Sequence, residues 1–70
     1  GGIGIIRLSG PQAYTVALQL SGKKTLIPRQ ASFSAIKDED NSLIDEGLIL
    51  FFPKPHSFTG EDVIELQVHG

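Results

Sequence analysis

Leu48-Ile49-Leu50-Phe51-Phe52 is the segment that most limits how this chain can fold. Side chains alternate faces along a strand, so five consecutive apolar residues put hydrocarbon on both sides of a sheet. Such a strand belongs inside the sheet, flanked by neighbours. Pro53 and Pro55 stop it, since proline has no N–H to give a ladder. The strand reads as Leu43 to Phe52, interrupted at Asp45-Glu46-Gly47, with Gly47 a candidate bulge. Ala31 to Ile36 alternates weakly, Phe33 and Ala35 opposite Ser32, Ser34 and Ile36. Asp38-Glu39-Asp40-Asn41-Ser42 lies between the two as a polar turn, which makes the pair a hairpin. The turn's acids read as solvated, because a metal would need convergent ligands that the turn does not offer.

Ile3 to Leu8 is short, β-branched and apolar, and reads as another strand. Ile6 and Leu8 share one face; Ile3, Ile5 and Arg7 share the other. An arginine beside isoleucines is unusual, and one reading is that it snorkels to water from a strand end. Ser9-Gly10-Pro11 closes the strand and opens a helix, with Pro11 in the first turn and Ser9 or Gly10 as the cap. Ala13, Val16, Ala17 and Leu20 then fall on one helical face. Gly22 ends the helix, and Lys23 and Lys24 sit near its negative pole. Thr25 to Gln30, with Pro28, is a connector. Residues 53–62 form a loop long enough to suggest function.

Val63 to His69 is the last strand. Ile64, Leu66 and Val68 give it a core face, while Val63, Glu65, Gln67 and His69 line the other. A rigid element thereby presents a carboxylate, a carboxamide and an imidazole in line. Glu65 is the residue whose surroundings matter most. In water it is an ordinary outward acid; under cover it needs Arg7 or a ligand's donor pair to offset desolvation. Glu61 and Asp62 read as loop-closing residues. Strand, helix, hairpin and strand together make an α+β domain with a mostly antiparallel sheet and one main helix.

Size and composition narrow the classes further. Seventy residues make at most one small domain, and a chain of this size buries only about 60% of its unfolded surface. It has no cysteine, which excludes disulfides and thiolate zinc sites. Its two histidines, His56 and His69, are too few for a tetrahedral site without carboxylates. Dimerisation is the remaining support. Six Lys and Arg against eight Asp and Glu give a formal charge of −2, with no basic stripe for nucleic acid. No apolar run approaches the ~18 residues that would span a bilayer. The absence of cysteine is compatible with the cytosol. The start at Gly1-Gly2-Ile3-Gly4 and the stop at Gly70, directly after a strand, lead us to expect a piece of a longer protein.

Three motifs fail on inspection. Gly2-Ile3-Gly4 precedes its strand and has Arg7 where a dinucleotide fingerprint needs a third glycine. Gly22-Lys23-Lys24 lacks the Ser or Thr and the upstream glycine of a phosphate loop. His56 and Ser57 show no triad spacing.

Two runs at opposite ends of the chain carry a resemblance. Gly1 to Gly10, with Gly-Ile-Ile-Arg-Leu-Ser-Gly at its end, and Pro53 to Gly70, with Ser-Phe-Thr-Gly-Glu-Asp within it, resemble the N-terminal domain of the bacterial and organellar tRNA modification GTPases of the MnmE (TrmE) family. The two lie in the right order, and Pro11 to Asp45 adds only length and pattern. The resemblance implies a fold similar to the tetrahydrofolate-binding domain of glycine-cleavage aminomethyltransferases. It implies a homodimer that binds a one-carbon folate, 5-formyl- or 5,10-methylene-tetrahydrofolate. It further implies a cytoplasmic parent protein with a helical domain and a GTPase domain, both absent from residues 1–70, using GTP, potassium and magnesium. With a flavin-containing partner, MnmG (GidA), such a parent modifies carbon 5 of the wobble uridine of tRNA.

Family folate contacts map onto Arg7 and Glu65, and a further family lysine falls beyond Gly70. Glu65 suits the adjacent N–H donors of a pterin's 2-amino pyrimidinone edge, because a carboxylate accepts both at once. Arg7 offers a forked cation to a carbonyl or to the glutamate tail. Residues 1–70 alone are expected neither to hydrolyse GTP nor to modify tRNA. Two alternatives stand beside the folate reading: a pure dimerisation module, and a freestanding aminomethyltransferase-like domain.

Overall fold

The computed structural model describes residues 3–38, 40 and 42–69, the side chains of Ile3 and His69 excepted. The expectations for Gly1-Gly2, for Glu39 and Asn41 in the turn, and for the His69 imidazole lie outside these. Strand β1 is Ile3–Ser9, helix α1 is Ala13–Ser21, and strands β2, β3 and β4 are Ser32–Lys37, Leu43–Phe52 and Val63–His69. They form one sheet in the order β1-β4-β3-β2, with every pairing antiparallel. The α+β reading holds, and β3 is interior as its double-sided hydrocarbon requires.

One face of the sheet carries α1. Ile36, Ile49, Ile64 and Leu66 meet Ala13 and Ala17 there, with Leu26 closing one side. Ile49, Ile64 and Ala17 are wholly buried. The helix is turned relative to the expected face. Ala13 and Ala17 are buried and Leu20 packs on the core, but Val16 is exposed, and Tyr14 and Leu18 take the inward positions. The reason is Tyr14. Its ring lies 4.6 Å from that of Phe51, and its hydroxyl accepts the Leu26 N–H at 3.1 Å. An aromatic residue with both contacts outweighs a valine.

Neither Ser9 nor Gly10 caps the helix. Gln12 holds the N-cap position without a side-chain bond. Ser9 is engaged elsewhere, its hydroxyl sharing a 2.7 Å hydrogen bond with Thr59, and the Gly10 N–H donates to the Asp62 carbonyl at 3.0 Å. Gly22 ends α1 as expected, in the left-handed region at φ 70° with its N–H on Leu18. Ser34 is the buried polar residue on the core side, and its hydroxyl donates to the Ala35 and Ser21 carbonyls.

The β2–β3 hairpin is as expected, but its irregularity is not at Gly47. Residues 43–52 form one uninterrupted strand, and the register shifts between Ile36 and Lys37, beside the turn. Gly47 is there because β4 passes close by. A Cβ at 47 would stand 3.0 Å from the Gln67 carbonyl carbon and 3.2 Å from the Val68 Cα.

In the turn, the Asp38 N–H donates to the Ser42 carbonyl at 2.9 Å, and the Ser42 N–H donates to Asp40 Oδ1 at 3.0 Å. The Ser42 hydroxyl and then its N–H hold the Asp40 carboxyl below the ordinary carboxylate value. A depressed folded value means the turn's stabilisation is present above the unfolded carboxylate's pKa and is lost as pH falls through the folded one. A carboxyl NMR titration should therefore place Asp40 below an ordinary aspartate, and Ser42→Ala should move it part of the way back.

Candidate functional site

The face opposite α1 is organised in rows by the strand register. Ile5 pairs with Gln67, Gln67 with Leu48, and Leu48 with Phe33, which makes one row across all four strands. Arg7, Glu65 and Leu50 form the next row. Ser9, Val63 and Phe52 form the third. The loop 53–62 folds over this third row. Asp62 closes it from both directions, taking the Lys54 N–H on Oδ1 at 2.9 Å and the Gly10 N–H on its carbonyl at 3.0 Å. Glu61 accepts the Ser9 hydroxyl at 3.4 Å, so both acids close the loop as the sequence suggested. The Ser57 hydroxyl donates to the Glu61 carbonyl, which gives it a structural partner and no general base.

Beneath the loop lies a cavity of about 600 Å³ lined by Arg7, Glu65, Val63, Phe52, Phe58 and Arg29, together with the loop segment 55–57. Arg7 and Glu65 come together as direct cross-strand partners on this face. The Arg7 Nε–H donates to Glu65 Oε2 at 3.3 Å, and the Gln67 amide donates to Oε1 at 2.9 Å. The Glu65 side chain is 15% exposed and that of Arg7 50%. Glu65 is thus the covered acid, with one donor on each oxygen. Its plane is set by two neighbours, and a carboxylate's roughly four acceptor positions leave it capacity toward the cavity.

Arg7 does not snorkel from a strand end. It sits inside β1, and its guanidinium lies 5.0 Å from the centroid of Phe58, a ring 83% exposed. An exposed cation–π contact of this kind contributes roughly 0.5–1 kcal/mol, enough to bias a side chain's orientation.

Sequence reasoning missed Arg29, Phe52 and Phe58. Phe58 stands in the loop run that drew attention, but only the fold sets it over Arg7. Arg29 lay in a stretch read as a connector. Its guanidinium sits 5.5 Å from the Phe52 centroid and donates to the His56 carbonyl. Its backbone is left-handed at φ 63°, and its N–H donates to the Phe51 carbonyl at 2.8 Å. Among the described residues no group of three His, Cys, Asp or Glu side chains converges for a metal. Nor, among them, is any helix long and apolar enough to cross a membrane.

The profile of the family described as "GTP-binding protein TrmE N-terminus" matches residues 1–70. The chain belongs to the TrmE N-terminal family. Relatives of high identity agree with the TrmE assignment. The chain is 63% identical over 70 residues to the tRNA modification GTPase MnmE of Psychrobacter sp. strain PRwf-1, covering all of this chain and 15% of that protein. It is 57% identical to the protein of the same name from Legionella pneumophila strain Corby, again over the whole chain and 16% of the relative. The Vibrio vulnificus protein of that name is 61% identical over the whole chain and 15% of its own length. The chain thus spans about one sixth of the curated TrmE relatives it matches.

Proposed function

We propose that residues 1–70 form the folate-recognising and homodimer-forming part of the N-terminal domain of a longer tRNA modification GTPase. The observation that carries this reading is Glu65, a covered carboxylate fixed by Arg7 and Gln67 on the wall of a partly aromatic cavity. The residues fit a reduced pterin. A volume of about 600 Å³ falls within the ~300–1,000 Å³ range of small-molecule sites. Phe52, Phe58 and Val63 offer apolar wall to a ring, and Glu65 offers acceptors to two adjacent N–H groups. A one-carbon folate bound here, as the 5-formyl or 5,10-methylene form, supplies the carbon for tRNA modification. This chain's residues bind and orient it: Glu65 takes the donor edge, and Arg7 and Gln67 keep that carboxylate in plane.

The relatives' shared name, tRNA modification GTPase, supports the same role for the parent of this chain. In that role GTP, potassium and magnesium belong to other domains of the parent protein. The flavin-containing partner MnmG and tRNA are likewise partners of the whole protein, in the cytoplasm. The aminomethyltransferase-like fold remains part of this proposal, while the freestanding transferase loses ground to the relatives' name.

Calorimetry of 5-formyltetrahydrofolate with the full-length protein tests the reading. Saturable heat that Glu65→Ala abolishes supports it. Absence of heat overturns it and leaves dimerisation alone.

That second role has an observation of its own. Ile5, Phe33 and Leu48 are exposed on the face away from α1, at 54%, 63% and 37%, and Ile44, where the β2–β3 register shifts, is 59% exposed. The first three share the row through Gln67. Such an apolar band favours a covering partner, and a second copy is the occupant that the homodimer reading names. Phe33→Asp combined with Leu48→Asp should shift the full-length protein from dimer to monomer in sedimentation. An unchanged dimer would place the interface elsewhere.

A further inference from the structure

We infer that Arg29 forms the anion-binding end of the cavity and receives a carboxylate from the tail of the ligand seated on Glu65, an inference that rests on the folate reading of that site. Of the two arginines lining the cavity, Arg7 is committed. Its Nε holds Glu65 and its plane lies over Phe58. Among the described residues, the ion pair found at the cavity is Arg7–Glu65, and no carboxylate is found paired with Arg29 there. Its recorded side-chain contacts are the Phe52 ring and the His56 carbonyl. A guanidinium carries five N–H donors in a planar fork. Most of the Arg29 fork is therefore available on the wall of a cavity whose other cation is already paired.

The backbone gives an independent observation. Arg29 is the non-glycine residue with positive φ among those described. Left-handed backbone costs an L-residue about 1–2 kcal/mol that glycine avoids. A large cationic side chain kept at such a position, with its N–H pinned to β3, marks a site where the side chain is needed.

Placement sets the ligand class. β4 carries Glu65, with Arg7 on its β1 flank and Phe52 and Arg29 on its β3 flank. The Phe52 backbone lies one strand across and two residues along from Glu65, on the order of 8 Å away. A ligand seated on Glu65 that extends past its ring toward Phe52 comes to Arg29 on the same cavity wall. The matching molecule is a heteroaromatic donor edge joined to a carboxylate-bearing tail. Arg7 is then released from the alternative of binding that tail.

The test compares two ligands on the full-length protein: 5-formyltetrahydrofolate, and 6-methyltetrahydropterin, which has the ring and no tail. Arg29→Gly suits the left-handed backbone, so the loop folds without the guanidinium. It should weaken the tailed ligand by about tenfold, as loss of one exposed charge-assisted contact does, and leave the tailless one unchanged. Arg29→Lys should recover part of the loss, and the tail's contribution should shrink in 1 M salt. Equal weakening of both ligands, or of neither, overturns the role of Arg29. If Glu65→Ala leaves both ligands unaffected, the folate reading itself fails and this inference fails with it.

Discussion

Glu65→Ala in the full-length protein is expected to weaken 5-formyltetrahydrofolate by at least about a hundredfold and to leave GTP affinity unchanged. A pterin's paired donors would make two charge-assisted hydrogen bonds to the carboxylate, each of roughly 1.5–3 kcal/mol. Losing both removes about 3 kcal/mol or more, which is two decades or more in Kd. The alanine also frees the donors of Arg7 and Gln67, which have set the carboxylate's plane. Glu65→Gln separates charge from shape. It keeps the outline but turns an amide N–H₂ toward a ligand donor or toward Arg7, so its loss should approach that of alanine. Arg7→Ala should cost about tenfold, because it removes an orienting contact and leaves the acceptor in place. Calorimetry with each nucleotide and folate ligand reads these changes. Parallel loss of folate and GTP would signal misfolding, and undiminished folate binding would remove Glu65 from the site.

Gly47→Ala should unfold much of the sheet. The added Cβ meets the backbone of Gln67 and Val68, and no rotamer change can move a backbone atom aside. Overpacking a tight interior costs roughly 1–3 kcal/mol where side chains can adjust, and more where they cannot. In a small domain that is a large share of a total stability of about 5–15 kcal/mol. Hydrogen exchange of the full-length protein should show amide protection in β3 and β4 falling by two orders of magnitude or more. The neighbouring exposed change Glu46→Ala should leave it intact. Full protection in the alanine variant would mean that β3 and β4 lie further apart at the Gly47–Val68 pair than this close approach requires.

Much of this architecture was legible because local pattern and tertiary fate agree. The alternation in Val63–His69 sorted Ile64 and Leu66 from Glu65 correctly, and Leu48–Phe52 was placed inside the sheet by its hydrocarbon alone. Pattern failed where a distant element decided the outcome. The helix turned because Phe51 and Leu26 are available to Tyr14, and helical spacing does not encode them. Gly47 read as a bulge because a glycine in a strand has two meanings, and close approach of a neighbour is visible only once β4 is in place. Arg7 and Glu65 were singled out as polar residues in apolar strands. Arg29 was not, since its φ and its station over Phe52 belong to the assembled loop.

The order β1-β4-β3-β2 has a consequence for how the chain is made. Of these four strands, the one synthesised last, β4, is wedged between β1 and the hairpin. Until it emerges, the opening strand and the hairpin share no ladder, and the two ionic partners, 58 positions apart in the chain, have nothing to bring them together. Contacts so distant along the chain are slow to close. On the ribosome, the face that carries this ion pair is therefore among the last parts of these seventy residues to exist, and the apolar rows on either side of it wait uncovered until β4 arrives.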